Sequence, residues 1–532
     1  MAELSPTIDI LKTFIVEHRW WIRFSIGVFS LHFLYNKITQ PPASLRHIPH
    51  ADFFALIKAI RKHKQIDDIA HEITFPTVAN STHGLYARFD NLGWTVHVTD
   101  PGIVKTILKS DAFPKSVNSI HTRRGTLAGR LLLGPNILFL SGEQWKNQRK
   151  VINPAFHRSM PVQIFGRVTQ KMLNTMETEM KSDHDNDDVK PIDVHDISQR
   201  WALDVLGESA FGFQFNALDS NGEDNEWVTR YNHIVQSAQK PLYFLLPSIE
   251  RQFKSWIPER RKAHQELSKF LDMMSSIADH KRQALLNKKA SSLDKNDHEK
   301  DLLTLMVEAE HEGQGRLTDE EFLSNLSVFF LAGHETTAAA VSFAIYYLAV
   351  HPEIQQKARE EVLGIFGDDP HDILPTLEQT RELDYINRVI KETLRMDPPA
   401  VSMVARTATK DTELSGVFIP KGTRLTVDVY ELHRNPRIWN NPNQFDPERF
   451  APGGEAEQLS ATGLPWVAFS NGARTCIGMS FSLLEQRVSL SMLLRKYEWS
   501  LPEDSIHKDK ILTSGVGVIK PKDLFIKFTK RY

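Results

Sequence analysis

Between Thr318 and Val350 the chain carries one long apolar run at helical spacing, opened by a Thr318-x-x-Glu321 capping box and stopped by His351-Pro352. Its middle reads Leu331-Ala332-Gly333-His334-Glu335-Thr336-Thr337, and that interruption narrows what the helix can be. A transmembrane span is excluded, because the polar group would sit at the bilayer centre, where a charge costs several kcal/mol. A zinc-protease helix is excluded as well: His-Glu-x-x-His needs a second imidazole one turn on, and position 338 is alanine. What remains is a core helix that carries a glycine, at a cost of about 1 kcal/mol, and an acid–hydroxyl pair that has to be desolvated. Either packing tolerates a flaw there or the violation marks a site.

Hydrophobic residues make up 41% and charged residues 24% of the 532, a globular balance that excludes collagen-like and low-complexity classes. A formal net charge of −2 leaves no overall footprint for nucleic acid. The single cysteine, Cys476, excludes internal disulfides, zinc ribbons and cysteine-ligated iron–sulfur clusters. Helical periodicity dominates from about residue 144 to 396, with short β-like runs near residues 85–98, 404–417 and 423–429. The fold class is therefore mainly α with small β-sheets (α+β). Charged tracts at 182–190 and 288–300 read as solvated loops, and no composition break divides residues 41–532.

Ahead of that body, Trp20–Tyr35 reads WWIRFSIGVFSLHFLY. As a helix it rises ~24 Å, short of a ~30 Å hydrocarbon core unless residues back to Phe14 join and Arg23 snorkels. Residues 1–40 are expected to be an N-terminal membrane anchor, spanning or lying in the interface, and the start of a Pro-rich stalk; a buried N-terminal helix is the alternative. Six lysines and arginines between Asn36 and Lys64, against two before Trp20, place the bulk of the chain on the cytosolic side by the positive-inside rule.

The cysteine lies in Phe469-Ser470-Asn471-Gly472-Ala473-Arg474-Thr475-Cys476-Ile477-Gly478, just before a helical stretch. A helix N-terminus favours a thiolate, the form that ligates metal. Gly472 and Gly478 let the backbone fold around the sulfur and a flat ligand approach, and Arg474 can hold a carboxylate. A lone cysteine without such neighbours reads as an inert buried thiol.

This Phe-x-x-Gly-x-Arg-x-Cys-x-Gly string resembles the haem-binding loop of the cytochrome P450 family and matches it at every defined position. The resemblance implies a cytochrome P450-like fold over residues 41–532. In it Cys476 is the proximal thiolate ligand of a b-type haem (heme b), Arg474 meets a haem propionate and Phe469 packs near the sulfur. Ala332-Gly333-His334-Glu335-Thr336 looks like the family's oxygen-binding stretch, where Ala332 and Gly333 leave room for the diatomic and Glu335 and Thr336 relay protons. Glu392-Thr393-Leu394-Arg395 looks like its Glu-x-x-Arg motif, and Arg449 in Pro447-Glu448-Arg449-Phe450 joins that pair in a buried network. Glu378-Gln379-Thr380-Arg381 is a second Glu-x-x-Arg, read as an ordinary helical ion pair. Trp145 and Arg149, four apart on one helix face, correspond to the family's propionate pair, as Arg406 does to a further propionate arginine. A surface aromatic–cation pair is the alternative for Trp145 and Arg149.

What the resemblance implies chemically is a monooxygenase that uses O2 and two electrons, since a thiolate ligand favours O–O cleavage. With no flavin domain or iron–sulfur cysteines in the chain, the electrons come from NADPH through a membrane-bound NADPH–cytochrome P450 reductase, docking through basic residues such as Lys146 and Lys150; cytochrome b5 is a further candidate partner. Substrate-facing positions correspond to Phe329, Thr337, Ala400, Val401, Ser402 and Met403, mostly apolar, so a lipophilic substrate is expected. The anchored form resembles microsomal members from eukaryotes, filamentous fungi included, which points to the endoplasmic reticulum membrane with the catalytic domain cytosolic. The substrate lean is to a steroid, with fatty-acid and terpenoid hydroxylases of the same type as alternatives. The segment 241–247 falls where the family has a membrane-dipping loop. A haem-thiolate isomerase or dehydratase would lack the acid–threonine pair, and a non-catalytic haem sensor would not need one.

Overall fold

In the computed structural model of the chain, residues 18–532 are described apart from 63, 82, 91–92, 117–122, 133, 159, 182–188, 220–224, 239, 241, 244–245, 289–299, 312–315 and 516. The two charged tracts expected to be loops fall almost wholly outside the described residues, as do Pro241, Phe244 and Leu245 of the expected membrane-dipping segment. The helices that matter here are α1 (Arg19–Thr39), α2 (Phe53–Arg61), α3 (Gly142–Arg158), α4 (Val162–Glu179), α5 (Val194–Leu206), α6 (Glu226–Ala238), α7 (Pro258–Lys288), α8 (Asp319–Val350), α9 (Asp384–Met396) and α10 (Met479–Lys496).

The long run becomes α8 as its caps dictate. The Thr318 hydroxyl accepts from the Glu321 amide at 3.2 Å, the Glu321 carboxylate accepts from the Thr318 amide at 2.9 Å, and Pro352 opens the next helix. From Thr337 to Ala349 every residue is buried, so the second half has no polar face, as a helix enclosed on all sides requires. α5 packs most extensively against it, and α4, α9 and α10 close the same apolar core.

Strands β1 (Leu85–Asp90), β2 (Gly93–Val98), β3 (Arg406–Thr407) and β4 (Arg424–Val427) form one sheet in the order β1-β2-β4-β3. β2 and β4 run parallel, with Val96 opposite Leu425, and β3 pairs antiparallel, with Arg406 opposite the same leucine. Lys115 bridges to Arg406 on the outer edge. A two-stranded pair, β5 (Thr513–Ser514) and β6 (Lys520–Pro521), lies against α8. The third expected β run stops early: the Asp428 amide makes a last ladder bond to Val98 at 3.2 Å, and Val429–His433 turns helical.

α1 is longer than its apolar stretch suggested, 21 residues or about 31 Å. It is not a buried helix: Trp20, Trp21, Phe24, Phe29, Leu31 and Phe33 are all exposed. Its C-terminal end is tied down, through Tyr35 against Phe54 and a bond of 2.9 Å from the Trp94 indole to the Lys37 carbonyl. Among the described residues, only α8 is both long and apolar enough to cross a membrane, and it is mostly buried.

Candidate functional site

The loop from Phe469 to Gly478 is shaped first by its own backbone. Ser470 and Gly472 take left-handed φ values of +61° and +69°, and Gly472–Arg474 forms a single 3-10 turn. The Cys476 amide then donates to the Phe469 carbonyl at 2.8 Å, closing the loop just before α10. Gly472 is therefore required by conformation, whereas Gly478 has a φ of −85° and a Cβ there would meet only the Phe156 ring at 3.9 Å. The Cys476 side chain is exposed, yet so much protein surrounds it that burial pushes its thiol up, against the Gly478 amide, Arg149 and Lys115, which act the other way. A residue that is accessible although densely surrounded by protein sits in a recess and not on a convex surface. The helix N-terminus expected to favour the thiolate is present, but desolvation outweighs it.

Four cations converge beside this sulfur. Arg149 of α3 donates to the Thr475 carbonyl at 3.1 Å, and Arg406 of β3 donates to the Phe113 carbonyl at 2.8 Å. Arg474 lies over the Trp145 ring at 3.7 Å, reaches Ser141 Oγ at 3.4 Å and leaves its buried Nη1 without a partner among the described residues. Trp145 and Arg149 share a face of α3 as expected, but the cation on the tryptophan is Arg474. The fourth is Lys115, which the sequence reading missed; burial, then repulsion from Arg474, Arg406 and Arg149, pushes its ammonium down to about 7. Burial and then Arg406 and Arg149 push Arg474 down to about 10. Among the described residues none of the four has a carboxylate partner, so the cluster calls for an anionic ligand carrying more than one charge.

Behind the loop, Glu392 and Arg395 of α9 are fully buried and joined by two bonds of 2.7 and 2.8 Å. Arg395 also donates to the carbonyls of His433, Pro442 and Gln444. Arg449 stands 3.4 Å from the same Glu392 oxygen that accepts from the Asp446 amide at 2.9 Å. His433, also missed by the sequence reading, carries this network to the cysteine loop: its Nε2 accepts from the Val467 amide at 2.8 Å, so Nδ1 holds the proton and faces the Leu394 carbonyl at 3.3 Å. Burial, then Arg395, pushes its imidazole down to about 3, fixing it neutral. The second Glu-x-x-Arg is different. Glu378 and Arg381 lie exposed and form no ion pair with each other, so that reading is corrected: exposed side chains gain too little to hold the geometry.

Across from the loop runs the middle of α8. Phe156 links the two, in contact with the Gly478 position and 5.2 Å from the Phe329 ring, and Thr337 meets Ser482 of α10 at 3.1 Å. Thr337 is 2% exposed; it packs on α10 and does not face a substrate, which corrects the expectation. Gly333 is corrected too: a Cβ there would come within 2.9 Å of Leu206 on α5, so the missing side chain makes room for the neighbouring helix and not for a ligand. Ala332 stands exposed in mid-helix, beside a Thr336 hydroxyl that donates to its carbonyl at 2.6 Å. Burial raises the pKa of the half-buried Glu335 carboxyl, while Lys520 and Tyr231 lower it. Of the remaining expected substrate positions, Ala400 bridges to Val518, Ser402 bridges to Asp428 and is exposed, the Val401 carbonyl accepts from Val429, and the Met403 sulfur accepts from Ser470 at 3.8 Å.

The family model for cytochrome P450 matches residues 91–528. The chain belongs to the cytochrome P450 family. It is 27% identical to human cytochrome P450 3A5 across 96% of both chains, and 32% identical to cytochrome P450 4c21 of Blattella germanica over 74% of this chain and 77% of that one. The heme domain of a cytochrome P450DA mutant shares the fold, with a TM-score of 0.70 at 23% identity over 91% of this chain and 98% of that one. This P450 is accordingly a haem-thiolate monooxygenase, an oxidoreductase, of a family that works with redox partner proteins on lipophilic substrates. Its residues fit a haem on three counts: one accessible thiol densely surrounded by protein, a buried guanidinium nitrogen with no partner among the described residues inside a cationic cluster, and a mid-helix alanine left exposed.

Proposed function

We propose that this P450 hydroxylates a lipophilic small molecule, steroid-like by preference, with Cys476 as the iron's thiolate ligand. The observation that carries the reading is the single cysteine, accessible although densely surrounded by protein, beside four cations that have no carboxylate partner among the described residues. Arg149, Arg406, Arg474 and Lys115 would hold the propionates, with Trp145 backing Arg474. The Cys476 thiol would ionise only as the metal adds its own charge, since burial alone disfavours the anion. Bound there, a thiolate-ligated haem supplies dioxygen activation. The chain's own contribution is water exclusion and proton handling: Thr336, its hydrogen committed to the Ala332 carbonyl, has lone pairs free to accept from a water, and Glu335 is the adjacent proton carrier.

Electrons would come from NADPH through NADPH–cytochrome P450 reductase, with cytochrome b5 as an accessory donor. Lys150 is the better docking cation, because Lys146 is already paired with Glu143 at 2.8 Å. A spectral screen of steroids, fatty acids and terpenoids against the ferric protein tests the substrate class, and a response confined to fatty acids or terpenoids would overturn the steroid preference. With any compound that passes, Thr336→Ala is expected to lower product per NADPH about tenfold and raise peroxide correspondingly, less than a direct acid–base group would cost because it works through water. Unchanged peroxide would remove Thr336 from the relay.

We further propose that residues 1–40 anchor a single catalytic domain, residues 41–532, on the cytosolic face of the endoplasmic reticulum membrane. Supporting this, Leu242, Leu246, Phe253 and Trp256 between α6 and α7 are exposed, as are Phe54, Ile57 and Ile60 on α2, which α1 touches. Deleting residues 1–40 is expected to weaken flotation with phosphatidylcholine vesicles without abolishing it. Complete release into the soluble fraction would show that the second apolar patch does not insert.

A further inference from the structure

Beside Glu335, on the part of α8 that carries Phe330 and His334, buried polar atoms accumulate that have no partner among the described residues. Tyr231 of α6 packs its ring 5.0 Å from Phe330 and 5.0 Å from His334, and is 2% exposed. Its hydroxyl lies at the margin of hydrogen-bond reach of the Glu335 carboxyl, each acting on the other's proton, and it finds no other partner among the described residues. His334 Nδ1 has no partner among them, and neither has Nε2 of His195 on α5. The tautomer of His195 follows from its neighbour. The Ser342 hydroxyl donates to the Ala338 carbonyl at 2.7 Å, so at 3.5 Å it can only accept from His195 Nδ1, leaving Nε2 as a lone pair with nothing to receive. Lys520 of β6 is the cation that acts on Glu335 and on both imidazoles. Burial pushes each imidazole down to about 3, so neither competes with Lys520 for the carboxylate.

Leaving such atoms dry would cost each of them its full desolvation penalty. Where unpaired buried groups cluster, native proteins hold ordered water that makes two to four bonds to them. We propose that Tyr231, His334 and His195 line a buried file of water running from Lys520 to the Glu335 carboxyl, and that Tyr231 and Lys520 are positioning residues that hold Glu335 at its inner end. The inference rests on the reading of Glu335 as the proton carrier. Each transfer along the file moves one proton from a water or ammonium group to the next oxygen, and no electron moves with it. The hydroxyl of Tyr231 steadies one carboxylate oxygen directly or through a water, and the ammonium of Lys520 sets its charge.

The first test needs no turnover. A high-resolution crystal structure of the holoenzyme should show ordered water within hydrogen-bond reach of Tyr231 Oη, His334 Nδ1 and His195 Nε2; a dry seam overturns the file. The second uses Tyr231→Phe and Lys520→Met, which keep the ring packing and the aliphatic stem. In substrate-free holoenzyme supplied with NADPH and NADPH–cytochrome P450 reductase, each should raise the ratio of peroxide to water formed by about tenfold, the scale at which groups behind a reacting residue act. Glu335→Gln should do the same, and the Tyr231→Phe/Glu335→Gln double variant should add nothing. If Glu335→Gln leaves the ratio unchanged, the proton-carrier reading fails and this inference with it. If Glu335→Gln moves the ratio and Tyr231→Phe does not, that reading stands and the positioning role is overturned. A merely structural tyrosine would lower the unfolding midpoint and leave the ratio alone.

Discussion

Replacing Cys476 by serine is expected to abolish monooxygenase turnover while leaving the polypeptide folded. A hydroxyl ionises far less readily than a thiol and is a hard donor, so it does not supply the soft, electron-releasing ligand that favours O–O cleavage. The side chain is accessible and the loop is closed by backbone, through the Phe469 carbonyl, so the stability change should stay within about 1 kcal/mol. The measurement is the absorption spectrum of the reduced protein under carbon monoxide, read beside a thermal unfolding curve. Loss of the red-displaced band with an unchanged midpoint is the expected pair. Retention of the band would show that another residue ligates the iron.

The second large effect is on folding. Truncating Glu392 to alanine leaves the fully buried Arg395 without a carboxylate, while Arg449 keeps only Glu455. A guanidinium cannot shed its proton to escape, and breaking such a buried pair costs about 3–5 kcal/mol. Burial raises the pKa of Glu392 despite both arginines, which means that the intact pair is no bonus over an apolar core; the expense arises on breaking it. Urea unfolding of the haem-loaded protein should show that loss, and haem content should fall with it because His433 passes the network's geometry to Val467. A change under 1 kcal/mol would mean that solvent reaches the arginines.

The parts of this molecule that were legible in the sequence are those written in consecutive residues. The cysteine loop, the α8 caps and the Glu392–Arg395 pair each depend on spacing within one element, and spacing is what a sequence displays. Lys115 carries no such signal. It joins the cationic cluster only because its backbone bridges to Arg406, far along the chain, and no local pattern announces that pairing. His433 and Tyr231 are likewise defined by what they face across two elements. Gly333 and Thr337 were misread for the same reason: the motif fixes their place on α8, while Leu206 and Ser482, on other helices, decide what they do. The third β run was overrun because Val429 continues the β-branched pattern past the last ladder bond.

An enzyme that reduces oxygen and leaks some of it as peroxide exposes its own thiols to oxidation, and the usual outcomes are sulfenic acid, mixed disulfides and cross-linked chains. This polypeptide offers one thiol in 532 residues, in the loop that would hold the iron. Self-inflicted thiol damage is therefore all or nothing for each molecule, cannot staple one segment of the chain to another, and falls where a single hit ends that molecule's service.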